Sequence, residues 1–276
     1  MKTISEVLHL SSKFLEERGV ESPKRAAEDL LGSVLGLKRM DLYLQFDKPV
    51  EESELTAMRE SLKRCGRGEP LDYVIGRVEF VGCQIFVDKR VLIPRPETEI
   101  MVEQIKKVVK GGEIWDLCSG SGCIGISLKK ALDCPVVLID CSADALAVAK
   151  KNAEANGVEV ELIQGDFLTP MIGRKADVVV CNPPYIPSKD VLTLSASVRD
   201  HEPVLALDGG ATGLDFYERL SRDLPDCLNA GALVFLEIGF DQGESVKEIF
   251  KNGPWKSMTL EKDWAGHDRF FFLEKQ

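Results

Sequence analysis

Asn182-Pro183-Pro184-Tyr185 is the stretch of this chain best suited to chemistry. A planar nitrogen, in an amide or on an aromatic ring, is a poor nucleophile because its lone pair is delocalised. A site that accepts both of its N–H hydrogens in fixed directions can aim that nitrogen at an electrophilic methyl group. The side-chain oxygen of Asn182 and the backbone carbonyl of Pro183 are two such acceptors. Pro183 and Pro184 stiffen the backbone between them, so little reorganises during reaction. Tyr185 can stack on the planar group and set its distance from the methyl donor. No general base is required, because the nitrogen becomes strongly acidic as it is methylated and the proton can then leave to water. The contribution is orientation for in-line attack. In isolation the same four residues read equally well as a proline-stiffened turn, so their position in the fold decides.

A second constellation lies upstream. Trp115-Asp116-Leu117-Cys118-Ser119-Gly120-Ser121-Gly122 follows an apolar strand and opens a helix. Gly120 and Gly122 permit a tight turn that brings backbone N–H groups toward a ligand. Gly120 to Gly125 also spells G-x-G-x-x-G, with Asp140 twenty residues after Gly120, so a dinucleotide dehydrogenase has to be weighed. Asp140 ends the next strand, where a carboxylate can accept both hydroxyl protons of a ribose. Asp166 follows the strand after that and can accept from an adenine amino group, with Phe167 offering a flat apolar surface for the base. Each acid alone is as readily a helix cap or a loop residue. In chain order at the ends of three successive strands, they outline a nucleoside site at the carboxyl edge of a sheet. Asp116 is placed to brace the turn or to face the charged end of the cofactor. A dehydrogenase has no use for Asn-Pro-Pro-Tyr, which turns the reading from hydride transfer to methyl transfer.

The elements that position these residues follow from periodicity. Residues 1–70 read as helices: Ile4, Val7, Leu8, Phe14 and Leu15 share a face, and Ser22-Pro23 caps a second stripe that runs through Leu30, Leu31 and Val34 to Gly36. A third helix starts near Ser53. Arg59, Lys63, Arg64 and Arg67 lie on or beyond its outer face, either as a phosphate-contacting cluster or as a solvated helix end. Residues 71–92 are expected to form a β-hairpin linker, with Gly82 at its turn. From residue 93 to 276, strand and helix alternate, which implies an α/β, doubly wound, mostly parallel sheet. Two closely spaced terminal strands, near 256–261 and 269–273, imply an antiparallel hairpin at the sheet edge.

Composition narrows the classes. The 276 residues carry 35 Lys+Arg and 45 Asp+Glu, a net charge of −10, which disfavours a protein that wraps nucleic-acid phosphates over a broad surface. Residues 1–80 account for only −2 of this, with 13 basic and 15 acidic side chains, so the excess acid sits in the catalytic part. No apolar run approaches the length needed to span a bilayer, and the first residues lack the layout of a signal peptide. The eight cysteines form no C-x-x-C pair and there are three histidines, so no metal site is expected and the thiols are read as reduced, in a cytoplasmic protein.

These segments together resemble the PrmC/HemK family, the protein-(glutamine-N5) methyltransferases that modify peptide chain release factors. The likeness rests on residues 69–82 (EPLDYVIGRVEFVG), 91–99 (VLIPRPETE), 182–185, 201–217 (HEPVLALDGGATGLDFY), 236–243 (LEIGFDQG) and 262–270 (KDWAGHDRF). The resemblance implies a Rossmann-like class I methyltransferase sheet behind a small helical release-factor-docking domain. It implies S-adenosyl-L-methionine as donor, with S-adenosyl-L-homocysteine as product. Cofactor contacts would come from Cys118, Ser119, Gly120, Ser121, Gly122, Asp140, Asp166, Phe167 and Asn182. The substrate would be the glutamine of a Gly-Gly-Gln loop, held by Asn182, Pro183, Pro184 and Tyr185, and the expected oligomeric state is a monomer. One departure stands out: the family turn is Asp-x-Gly-x-Gly-x-Gly, and Cys118 replaces the first glycine. A cysteine there is expected to keep φ below zero. Arg95 and Glu97 are expected to line the active-site mouth or to pair with each other, and His201-Glu202-Pro203 to anchor a loop. The alternatives are a methyltransferase acting on adenine or guanine amines in nucleic acid, a glutamine methyltransferase acting on a ribosomal protein, and a binding module without turnover.

Overall fold

The computed structural model describes residues 2–276, which divide into two compact units. The first runs to Arg77 and also takes in Ser195–His201. It contains α1 (Ile4–Glu16), α2 (Pro23–Leu35), α3 (Arg39–Leu44), α4 (Glu52–Cys65) and α5 (Leu71–Ile75). Its core is the apolar stripe read from the sequence: Ile4, Leu15, Leu30, Leu31 and Met58 are almost completely buried. Thr3 caps α1 with a reciprocal Thr3–Glu6 capping box. Ser22 occupies the N-cap position of α2 with Pro23 at the first helical position, as expected, but it sits at φ 48° and its side chain makes no capping bond. Periodicity does not reveal α3, a six-residue helix held down by the buried Glu28 of α2, which accepts from Arg39 at 2.7 Å and from the Tyr43 hydroxyl. Three members of the 59–67 basic cluster are paired with carboxylates: Arg59 with Glu52, Lys63 with Glu60 and Arg64 with Glu69.

The second unit begins at Val78. β1 (Arg77–Phe80) and β2 (Cys83–Phe86) form the expected two-stranded hairpin, although Leu71–Ile75 is helical and packs on the first unit's core. Then come α6 (Pro96–Val108), β3 (Ile114–Leu117), α7 (Cys123–Leu132), β4 (Val136–Asp140), α8 (Ala143–Asn156), β5 (Glu161–Gln164) and β6 (Ala176–Cys181). The single-turn helix α9 (Ser188–Val191) opens the long loop that follows, and a second, α10 (Ala196–Arg199), falls in the segment that belongs to the first unit. The chain continues through α11 (Asp215–Asp223), β7 (Leu228–Glu237), α12 (Gly243–Phe250), β8 (Trp255–Lys262) and β9 (Asp268–Lys275).

The seven-stranded sheet has the order β5-β4-β3-β6-β7-β9-β8. Its first five strands are parallel, and β9 pairs antiparallel with both β7 and β8. Strand order reverses between β3 and β6, the switch point where such sheets open a ligand crevice. The central strands are buried on both faces, which is why they read as continuous apolar runs such as Val136-Val137-Leu138-Ile139.

α7 is pressed hard onto this sheet at Gly125, where a Cβ would stand 2.3 Å from Leu138 and 3.0 Å from Asp116 Oδ2. Helix propensity favours alanine over glycine by about 1 kcal/mol in an exposed helix. Here the overlap dominates. Gly125→Ala is expected to destabilise the fold by about 1–3 kcal/mol in denaturant melts, the usual cost of overpacking.

Candidate active site

A cavity of about 210 Å³ opens at the carboxyl ends of β3, β4 and β6. Of the residues singled out from the sequence, Cys118, Ser119, Gly120, Ser121, Asp140, Asp166, Phe167, Asn182 and Pro184 line it. Gly122, Pro183 and Tyr185 lie outside the lining. Gly122 instead starts α7, at φ 76°, and a Cβ there would meet Leu138 and Ala149.

The glycine-rich turn is tied down from several directions. Asp116 is fully buried at the end of β3, and its Oδ2 accepts the Gly125 N–H at 2.8 Å. It therefore braces the turn and is not part of the cavity lining. Burial raises its carboxyl to about 7, and its Oδ1 has no partner. Asp140 accepts the Gly120 N–H at 2.8 Å on one oxygen and the Ser142 N–H at 2.9 Å on the other. Asn152, buried on α8, donates to the Ser121 carbonyl at 2.9 Å and bonds both backbone groups of Phe86 in the hairpin.

The expectation that these amides face a ligand needs correction. Ser119 N–H donates to the Ile139 carbonyl and Gly120 N–H to Asp140, both on β4, and Gly122 N–H to Ser119, so all three are already paired within the fold. What the turn offers is shape: a Cβ on Gly120 would meet nothing within 4 Å. Ser119 adds a buried hydroxyl without a partner, on the cavity wall. Cys118 also departs from expectation. It sits at φ 55°, in the left-handed region, where a side chain costs about 1 kcal/mol or more. The turn demands the glycine conformation even where the sequence supplies a cysteine. The side chain is accommodated by contact with the Cys181 thiol. Phe167, at φ 57°, is a second such position on the same cavity.

At the far end, Phe167 is nearly buried and meets Phe216 edge-on, with ring centroids 5.3 Å apart. The Arg219 guanidinium lies 5.0 Å from the Phe167 centroid and binds Asp166 at 2.9 Å. Neither α11 residue stands out in the sequence. No local pattern marks a residue on α11 as a neighbour of the β5 end.

The Asn182-Pro183-Pro184-Tyr185 segment leaves β6 beside the turn, since Cys181 is in register with Leu117. Its backbone is clasped by the loop that follows. Ile186 N–H donates to Leu207, Gly209 N–H to Ile186, and Gln242 Nε2 reaches both the Tyr185 and Gly213 carbonyls. A Cβ at Gly213 would stand 2.3 Å from the Tyr185 carbonyl oxygen, which accounts for glycine in the Gly-Gly-Ala-Thr-Gly stretch. Burial pushes the Tyr185 phenol well above its usual value, so it stays neutral. Arg95 does not pair with Glu97: it binds the buried Glu202 at 2.7 Å, and Glu202 also accepts the Ile93 N–H. This pair joins the 91–99 segment to the 202–217 loop, and Arg95 still lines the cavity. Thr98, also on the wall, donates to the buried Glu237 at 2.6 Å. Both belong to family-like segments, yet the sequence alone gives neither a role. The available signal is an acid closing an otherwise apolar central strand, Phe235-Leu236-Glu237.

Comparison with known proteins places the chain in a family. Residues 6–76 match the family described as PrmC N-terminal domain, and residues 95–209 match the Methyltransferase small domain. The release factor glutamine methyltransferase of Geobacter sulfurreducens is 39% identical over 269 residues, covering 97% of this chain and 95% of that protein. Its counterpart from Chlamydia trachomatis serovar L2 is 41% identical over 280 residues, covering 99% and 94%. The crystal structure of a methyltransferase from Pyrococcus furiosus shares the fold, with a TM-score of 0.56 at 19% identity over 70% of this chain and 89% of that one. The doubly wound sheet, with its cavity at the switch point, is that of a methyltransferase. Within that class, the chain belongs to the release factor glutamine methyltransferase family.

The raised pKa of Asp116 has a consequence for stability. Its folded value, about 7, exceeds the unfolded 3.8, so its contribution is fully present below pH 4 and is lost as pH rises through 7. Asp116→Asn removes the buried charge and keeps an acceptor for Gly125. Relative to the parent, the variant is expected to gain stability between pH 5 and pH 8, about 1 kcal/mol or more, read from denaturant midpoints at the two pH values.

Proposed function

We propose that this protein transfers a methyl group from S-adenosyl-L-methionine to the side-chain amide nitrogen of the glutamine in the Gly-Gly-Gln loop of peptide chain release factors. The observation that carries the proposal is Asn182, with its stiff Pro183-Pro184-Tyr185 continuation, on the wall of the switch-point cavity in a chain about 40% identical to release factor glutamine methyltransferases.

The residues fit the donor. The open face of Gly120 and the unpartnered Ser119 hydroxyl leave room and polarity for it. Each Asp140 oxygen accepts one backbone N–H and retains a lone pair for a ribose hydroxyl. Asp166 and Phe167 would hold the adenine end, with Cys118, Ser121 and Gly122 shaping the turn. The donor supplies a methyl group made electrophilic by its sulfonium. The protein's own part is orientation. Asn182 Oδ1 and the Pro183 carbonyl would accept the two N–H hydrogens of the glutamine amide, while Pro184 and Tyr185 bound the plane in which it lies. The amide then presents its nitrogen with no freedom to rotate, which lowers the entropic barrier to attack. The proton is lost to water after transfer.

A nucleic-acid amine is the competing substrate, since it offers the same planar nitrogen. The net charge of −10 and the paired state of Arg59, Lys63 and Arg64 favour a protein substrate. A ribosomal-protein glutamine is the nearer rival, and the 91–99 segment (VLIPRPETE) favours release factors. Among the described residues, no helix is long and apolar enough to cross a membrane. The reading includes a cytoplasmic monomer whose helical unit docks the release factor.

With labelled donor offered to release factor, ribosomal protein and DNA together, label is expected in the release factor, and label in DNA alone would reverse the assignment. Asn182→Ala is expected to lower methylation by at least about 100-fold while cofactor affinity by calorimetry stays within a few-fold. Asp140→Ala is expected to weaken cofactor binding by about tenfold or more, and unchanged affinity would remove the ribose role.

A further inference from the structure

Glu237 closes β7, next in register to the start of the Asn182 segment: Cys181 pairs with Leu236, so Asn182 and Glu237 extend neighbouring strands. It is 1% exposed. Its Oε2 accepts the Thr98 hydroxyl at 2.6 Å, and its carboxylate also accepts from the Asn182 side chain. The Asn182 Nδ2 lies 3.4 Å from Thr98 Oγ1. A threonine hydroxyl has one proton, and here Glu237 takes it. Thr98 therefore faces Asn182 as an acceptor, as Glu237 does.

A primary amide has two orientations of nearly equal shape, and only its hydrogen bonds choose between them. With two acceptors on its inner side, Asn182 has to turn its NH₂ group inward. Its Oδ1 is then left toward the cavity that Asn182 and Thr98 both line. We propose that Glu237, acting through and beside Thr98, is the positioning residue that selects this orientation of Asn182 and so supplies the acceptor for the substrate amide. This rests on the reading of Asn182 as that acceptor.

The surroundings of Glu237 decide when it can do this. Arg269 attracts its charge and Glu97 opposes it, while Tyr185, Tyr217 and Cys123 face the same region and are neutral near pH 7. Tyr217 spends its hydroxyl proton on the Glu237 backbone carbonyl at 2.9 Å. Burial outweighs these influences and raises the carboxyl to about 7. Protonated, Glu237 becomes a donor and can hold Asn182 in the opposite orientation.

The test is steady-state kinetics on intact release factor, with cofactor affinity measured separately, across pH 6 to 9. Glu237→Gln keeps the shape and can offer an NH₂ group to Asn182 Oδ1. It is expected to lower kcat by about 10- to 100-fold, the range for a misplaced reacting group, with cofactor affinity and melting temperature near the parent's. The parent's kcat should rise with pH through about 7, and Glu237→Gln should lose that limb. Parental kcat and an intact limb in Glu237→Gln would overturn the proposal. Should that variant fold poorly, Thr98→Val against Thr98→Ser decides: loss of kcat in the first with recovery in the second supports positioning, and equal behaviour overturns it. Asn182→Ala separates the two levels. If it stays active, the acceptor reading fails. If it is inactive while Glu237→Gln is not, only the positioning role fails.

Discussion

The site depends on one constraint: a turn that backbone bonds satisfy only in part has to be held rigid at the mouth of a parallel sheet. Its polar groups cannot be left unpaired in a buried place without a cost of about 1–3 kcal/mol each. The chain meets this with three side chains from three elements. Asp116 from β3, Asp140 from β4 and Asn152 from α8 each take one backbone group of the turn or of the first helical turn after it. Asn152 also carries the hairpin strand at Phe86, so the same amide fixes the position of β2 against the turn. The cavity is the space left when these demands are satisfied, and its polar character comes from the few groups that remain, such as the Ser119 hydroxyl.

The same logic extends along the sheet edge. Adjacent parallel strands β4, β3, β6 and β7 end, in spatial order, at Asp140, the Cys118 turn, Asn182 and Glu237. Asp140 is tied to the turn through the Gly120 N–H, and Asn182 to Glu237 through Thr98, so the edge carries two bonded groups of polar residues on an apolar body. Loop 202–217 is fastened beside it: Glu202 binds Arg95, and Gln242 at the start of α12 donates to the Gly213 carbonyl. The functional groups are thus placed by rigid strand ends and secured by loops, an arrangement that limits their freedom more than loops alone would.

Much of the architecture is legible in the sequence because its causes are local. The central strands are buried on both faces and so are apolar throughout, and helices between them follow from periodicity. Strand ends tell where Asp140, Asp166 and Asn182 converge. What is not legible is non-local. Thr98 and Glu237 are 139 residues apart, and no spacing rule connects them. Arg219 reaches Phe167 from a helix whose own sequence shows only an amphipathic face. Cys118 misleads in another way: the rule about side chains at positive φ concerns the single residue, whereas the surrounding bonds of the turn dictate the backbone. For Arg95, nearby charge invites a partner two residues away, and the structure pairs it across 107 residues instead.

The position of β9 bears on how the molecule assembles. It lies between β7 and β8 although it follows both in the chain. Until Asp268–Lys275 inserts, β7 is an edge strand with one side unpaired, and β8 has nothing to dock against. The spatial order of these strands therefore differs from the order of synthesis, and the strand that ends at Glu237 is completed by residues made after it. A nascent chain stalled before β9 would present an open β7 edge, a template for intermolecular strand pairing.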